Sequence, residues 1–259
     1  MDFQNILYEK QNRVATITFN RPQAMNAFTI EMNGEVQRAL KDADEDKDIR
    51  VIVLTGAGRG FCAGQDLKGR TPEKKGSLGA SLRERYNPII LRLRRTEKIS
   101  IAAVNGVAAG AGCNLALATD LRIASEDATF VQAFARVGLA PDCGGSIVLP
   151  RLVGFSKAME LLLLAEPIDA REAQRIGLVA KVVATADLAK TTRGIAEKIA
   201  KGPRSISLIK RAVNRAMMRD LADQLDYEAY LQEIAGRSSD YDEGVSAFLE
   251  KRAPVFTGK

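Results

Sequence analysis

The residues best suited to chemistry sit in three turns rich in small side chains, and none of them is a histidine. The 259-residue chain contains no histidine at all, which excludes every Ser-His-Asp or Cys-His nucleophilic arrangement and removes the commonest metal ligand. Proton transfer must then use a carboxylate, lysine, tyrosine, thiol or water. The first turn lies in IAAVNGVAAGAGCNLALATDLRIAS, residues 101–125. Apolar residues lead to Asn105-Gly106 and then to Ala108, Ala109, Gly110, Ala111 and Gly112. After Cys113 and Asn114 an apolar, helix-like run precedes a short strand over 121–124. Small residues at a strand-to-helix junction leave the first amides free and let a ligand approach the backbone, and the helix dipole favours negative charge there. The same residues equally suit a helix packed tightly on a sheet.

A second turn follows the apolar run Val51-Ile52-Val53-Leu54. It reads Thr55-Gly56-Ala57-Gly58-Arg59-Gly60, then Phe61-Cys62-Ala63-Gly64-Gln65-Asp66-Leu67. Two such turns supply two convergent N–H donors, the minimum for an oxyanion hole. The third, Pro141-Asp142-Cys143-Gly144-Gly145, carries a carboxylate. Local sequence reads Asp142 either as a helix N-cap or as an acid/base.

The elements that position these turns alternate in type. Val14–Phe19 alternates as a strand and Arg21-Pro22 ends it. Thr29 caps a helix whose apolar face uses Met32, Val36, Leu40 and Ala43. A buried strand follows over 51–54, a polar, glycine-rich loop over 67–79, and a helix over about 81–95. Short strands are expected over 129–134 and 137–139, helices from Gly145 towards Leu152 and over 159–164, a helix opening at 168–173 with Gly177 just past its end, and a strand over 178–183. Beyond Ala186 only helical patterns occur, broken at Gly202-Pro203 and around 236–239. Strand–helix–strand order argues an α/β architecture. The change to helices alone divides the chain into a core, 1–200, and a helical subdomain, 201–259. No sequence repeat is evident.

FCAGQDL together with AAVNGVAAGAGCNLALATDLRIA resembles the enoyl-CoA hydratase/isomerase (crotonase) family, and NRPQAMNAF over 20–28 and GLAPDCGGSIVLPRLVG over 138–154 fit it too. The resemblance covers essentially the whole chain. It implies a spiral of repeated β/β/α units followed by helices that trimerise the protein, often as a dimer of trimers. It implies an acyl-CoA thioester as substrate, coenzyme A being part of it, with no further cofactor and no metal. The thioester oxygen would be held by the backbone N–H groups of Ala63 and Ala111. Coenzyme A and acyl-group contacts would come from Ala24, Ala27, Gln65, Asp66, Leu67, Gly110 and Pro141, with Asp66 equally readable as a structural cap. Lys251 reads as a surface lysine or as a contact for a CoA phosphate, in this or a neighbouring subunit.

The family's hydratases use two glutamates. The matching positions here hold Asn114 and Phe134, so water addition by that pair is not expected. Asp142 stands where hydratases carry glycine, and a single acid/base between C2 and C4 of an acyl group implies double-bond isomerisation, with Asn114 orienting it or the substrate. Asn114, Asp142 and the terminus AGRSSDYDEGVSAFLEKRAPVFTGK narrow the resemblance to the isomerases of phenylacetate degradation, which convert a ring epoxide of phenylacetyl-CoA into an oxepin. A dehalogenase with Asp142 as nucleophile would need the histidine base that this chain lacks. The alternatives are a hydratase and, in another class, an RNA-binding protein on the same fold.

Composition is compatible with this. Hydrophobic residues make up 46% and charged residues 27%, ordinary for a globular enzyme. The net charge of +6 suits a polyanionic ligand such as CoA, and no aromatic interleaving points to nucleic acid. Cys62, Cys113 and Cys143 are odd in number, with no CxxC, so they suggest no disulfide framework and read as small buried fillers or reactive thiols. MDFQNILYEK lacks a basic-then-apolar signal pattern and no run approaches the ~20 apolar residues of a membrane span. A cytoplasmic location is therefore expected.

Overall fold

Strands β1 (Ile6–Gln11) and β2 (Val14–Phe19) pair antiparallel around Asn12 and Arg13, both at positive φ. The structure is a computed structural model that describes residues 2–67, 77–216 and 220–258. Helix α1 (Ile30–Glu45) begins where Thr29 accepts the Met32 N–H, and it buries Met32, Val36, Leu40 and Ala43. That is the cap and the stripe expected from spacing alone.

From here the chain repeats one move. A strand enters a first sheet, the next strand enters a second sheet, and a helix follows. β3 (Val51–Gly56) and β4 (Gly60–Cys62) precede α2 (Leu78–Ser81) and α3 (Asn87–Arg95). β5 (Ile99–Val104) and β6 (Val107–Ala109) precede α4 (Ala111–Leu117). β7 (Leu121–Ser125) and β8 (Thr129–Val131) precede α5 (Gly145–Val153). The first sheet therefore runs β1-β2-β3-β5-β7-β10, and the second β4-β6-β8-β9, where β9 is Ile168–Asp169 and β10 is Lys181–Val183. β3, β5 and β7 pair parallel, as do β4, β6 and β8. Parallel neighbours end on one side, so the loops leaving β4, β6 and β8 emerge together. These are the loops that carry the three turns.

Helix α6 (Phe155–Leu164) follows α5, and α7 (Ala170–Arg175) is capped by Asp169, with Gly177 in the left-handed conformation just past its end. Helix α8 (Leu188–Ala200) packs on β3, β5 and β7, and α9 (Ser205–Ala216), α10 (Leu221–Gly236) and α11 (Ser239–Leu249) complete the chain.

Four expectations are corrected, the first being the strand over 129–134, which stops at Val131. Residues 137–139 form no strand: a 3-10 turn, Ala135–Val137, runs into Gly138 at φ +70, and the Leu139 N–H returns to Phe134 O at 3.0 Å. The strand expected over 178–183 shortens to β10, because the Leu178 and Val179 amides close on Ala173 O at the end of α7. The helix before the central stretch starts at Leu78, capped by the Ser77 hydroxyl, and passes through a π-helical turn, Leu82–Tyr86. Of the loop expected over 67–79, residues 68–76 lie outside the described residues.

Candidate active site

The first amide turn is built by close approach. Parallel register sets Cys62 beside Ala108, so the chain leaving β4 runs alongside the chain that opens α4. Gly64, at φ +90, lies so near that a Cβ on it would meet Ala109 O at 3.0 Å and the Ala111 nitrogen at 3.6 Å. Phe28 fixes this segment from the other side: its N–H bonds Gly64 O at 2.8 Å, and its O accepts from Asp66 N at 3.0 Å. A residue bridged in that way turns its own N–H away from its neighbour. Gln65 is that residue, and among the described residues its amide has no hydrogen-bond partner. The Ala111 amide, first in α4, likewise has none.

Ala63 does not join them. Its N–H donates to Met25 O at 2.9 Å and is spent inside the fold. Gly64, at φ +90, turns the chain between the two residues, and past it the free donor is the Gln65 N–H.

Asn26 holds this turn, in a way the sequence did not signal. It is fully buried at φ 56, its Oδ1 accepts the Arg21 N–H at 2.8 Å, and its Nδ2 donates to Ala57 O and Gly60 O. Arg21 in turn donates to Ala27 O and to the Asp66 carboxylate at 2.9 Å. Ala24, Ala27, Gln65, Asp66 and Leu67 are thereby gathered on one strip, with Leu67 52% exposed at its edge. Asp66 thus has a structural task, the ion pair that ties the strip together. Lys251 is exposed just beyond α11.

Asn114, 1% exposed, projects from α4 towards the third turn. Its Nδ2 donates to the main-chain carbonyl of Asp142 at 2.9 Å, and its Oδ1 accepts from Gln132 Nε2 at 2.9 Å. It positions the backbone of Asp142 and not its carboxylate. Gly145 makes the contact geometrically allowed, since a Cβ there would lie 2.2 Å from Asn114 Nδ2. Gln132 was missed because only the register of β8 with β6 brings it to Asn114. Phe134, 6% exposed, lies over Gly110, its ring 3.8 Å from where a Cβ would stand.

Asp142 is half-buried beside Pro141, and its Oδ1 is enclosed with no hydrogen-bond partner among the described residues. Burial raises its carboxyl from the ordinary aspartate value, with Cys143 pulling it partly back. Burial likewise pushes Cys62 and Cys113 up to about 12 and raises Cys143 further. All three thiols are buried and free, so they stay protonated at neutral pH and lack the thiolate that reactivity requires.

Unpaired amides on two adjacent loops, with a half-buried carboxylate on the third, are the parts that oxyanion stabilisation and proton transfer need. The comparisons agree with that class. The family model described as "Enoyl-CoA hydratase/isomerase" matches residues 9–259, and the chain belongs to this family. It is 48% identical over 258 residues to the 1,2-epoxyphenylacetyl-CoA isomerase of Escherichia coli strain K12, covering 98% of both chains. It is 45% identical over 260 residues to a "Probable enoyl-CoA hydratase" of Rhodobacter capsulatus, covering 100% of both. A crystal structure from Geobacillus kaustophilus HTA426, titled as an enoyl-CoA hydratase subunit I, superimposes with a TM-score of 0.93 at 35% identity over the full length of each chain. The fold is therefore the crotonase spiral of β/β/α units with C-terminal helices. Among the described residues no helix is long and apolar enough to cross a membrane.

Proposed function

We propose that the chain is an acyl-CoA isomerase that moves a double bond, or opens a ring epoxide, of a CoA thioester through an enolate, with 1,2-epoxyphenylacetyl-CoA as leading substrate. The thioester oxygen is held by the Gln65 and Ala111 amides. Because they are fixed before reaction, they favour the enolate over the ground state; losing one oxyanion donor typically costs roughly 3–4 kcal/mol. Asp142 takes a proton from the carbon next to the thioester and returns it elsewhere on the acyl group. Asn114 and Gln132 hold its backbone, and the strip from Ala24 to Leu67, with Gly110 and Pro141, binds CoA and the acyl group.

One observation carries this reading: Asp142. The positions at which the resemblance implies the hydratases' two glutamates hold Asn114 and Phe134. Among the described residues of the three turns, Asp142 is the carboxyl placed to exchange a proton, and burial raises it from its ordinary value. Identity to the epoxide isomerase supports the same choice. The family resemblance implies a homotrimer or a dimer of trimers, and the exposed apolar residues of the C-terminal helices suit an assembly.

The test is incubation of trans-3-enoyl-CoA and the ring epoxide in D2O with wild type and Asp142→Asn. Isomerised product without added water, lost by at least a hundredfold in the variant, is expected. A 3-hydroxyacyl product, or an Asp142→Asn variant with full activity, would overturn it in favour of the hydratase.

A further inference from the structure

The mechanism above leaves one buried phenol without a task. Tyr86 closes the π-helical turn ahead of α3, is 6% exposed, and its hydroxyl is enclosed with no hydrogen-bond partner among the described residues. Buried polar groups rarely stay unpaired unless they serve a ligand or a water.

Two neighbours fix where Tyr86 sits. Its ring lies 6.0 Å from that of Phe28, the residue whose N–H holds Gly64 O beside the Gln65 amide. Four residues further on, on the same helical face, Ile90 borders the third turn: a Cβ at Gly144 would meet Ile90 Cγ2 at 3.8 Å. The ring thus packs against the residue that fixes the Gln65 segment, on a helix whose next turn borders the Asp142 turn, where the enclosed Oδ1 of Asp142 also lacks a partner. Its other polar neighbour is Asn33, whose Nδ2 is committed to Thr29 O at 2.9 Å and whose Oδ1 is unpaired. Burial above all pushes the phenol far from ionisation; the Asn33 side chain opposes this, and Cys62, Cys143 and Asp142 add to it. At neutral pH the hydroxyl is a donor.

We propose that Tyr86 is a specificity residue whose hydroxyl donates a hydrogen bond to an oxygen carried by the acyl group itself, beyond the thioester. The inference rests on the acyl-CoA reading above and narrows its substrate class. It favours acyl groups that bear an oxygen near the carbons Asp142 serves, a ring epoxide among them, over plain enoyl chains, which would leave the phenol unpaired.

Titration calorimetry with phenylacetyl-CoA and 2-hydroxyphenylacetyl-CoA tests this without requiring turnover. Wild type is expected to bind the hydroxylated thioester about tenfold more tightly. Tyr86→Phe is expected to lose that preference while keeping wild-type affinity for phenylacetyl-CoA, which reports an intact site. A preference that survives in Tyr86→Phe, or that wild type never shows, overturns the proposal and returns the phenol to Asn33. If wild type binds neither thioester, the acyl-CoA reading falls and takes this inference with it. Discrimination in binding with no isomerisation would sink only the reaction assigned above.

Discussion

Asp142 shows at the scale of one residue how a site works against its own fold. The unfolded carboxyl titrates near ~3.9, and in the native state burial raises it. Below the unfolded value both states are protonated and the group costs nothing. As pH rises from there through the raised native value, the unfolded chain ionises first and stability falls. Asp142→Asn should therefore melt higher than wild type at pH 7, with the gain vanishing below the ordinary aspartate range. Calorimetric melts across that window decide it, and a variant that melts lower at neutral pH would mean that the carboxylate supports the fold.

A second residue-scale test uses Gly145→Ala. The new Cβ must displace Asn114 Nδ2, releasing the Asp142 carbonyl, and a shift of about 1 Å in a reacting group costs up to ~100-fold in rate. Steady-state kinetics should show kcat falling far more than KM rises. Legibility at this scale was uneven. PDCGG exposed Asp142 to a reader of the sequence, but nothing in FCAGQDL tells which way an amide points. Ala63 and Gln65 differ in their tertiary neighbours: Met25 O takes the Ala63 N–H, and the bridge with Phe28 turns the Gln65 N–H away.

At the scale of elements, the reason for partial legibility is length. Helix α1 announces itself through its cap and stripe, and β2, β3 and β5 are six residues each, long enough for a strand pattern to show. The second sheet is made of three-residue strands, Gly60–Cys62, Val107–Ala109 and Thr129–Val131, ending on the two-residue Ile168–Asp169. No periodicity survives in so few residues, so the repeat of strand, strand and helix was invisible as sequence. The junction of α9 with the core was hidden too. Lys210, 6% exposed, pairs with Asp120 at 2.8 Å and donates to Leu93 O and Lys98 O, while Asp120 also accepts from Ser100. Lys210→Met leaves that carboxylate without its counter-ion and should cost about 3 kcal/mol in denaturant unfolding. A loss near zero would mean that Ser100 alone satisfies Asp120.

The molecule as a whole presents an apolar surface at its C-terminal end. Ile209, Val213, Leu221, Leu225, Phe248 and Leu249 are all more than half exposed, Phe248 by 82%. Single exposed apolar residues are ordinary, but several on three successive helices favour an assembly that covers them. Light scattering at micromolar concentration should give three or six times the mass of one chain, and Phe248→Asp with Ile209→Asp should lower it. A wild type that scatters as a single chain would remove the assembly from the reading.

The turns that meet at Asp142 come from three successive units, at Gln65, Ala111 and residues 132–142, and none of their contacts is local. Each must wait for the loop-closure entropy of some 20–50 residues to be overcome, and such non-local pairings set the pace of folding. Catalytic competence is thus a late event in the life of the chain. During refolding, activity would clock the docking of the third unit onto the first two, long after the β1–β2 hairpin and α1 have collapsed.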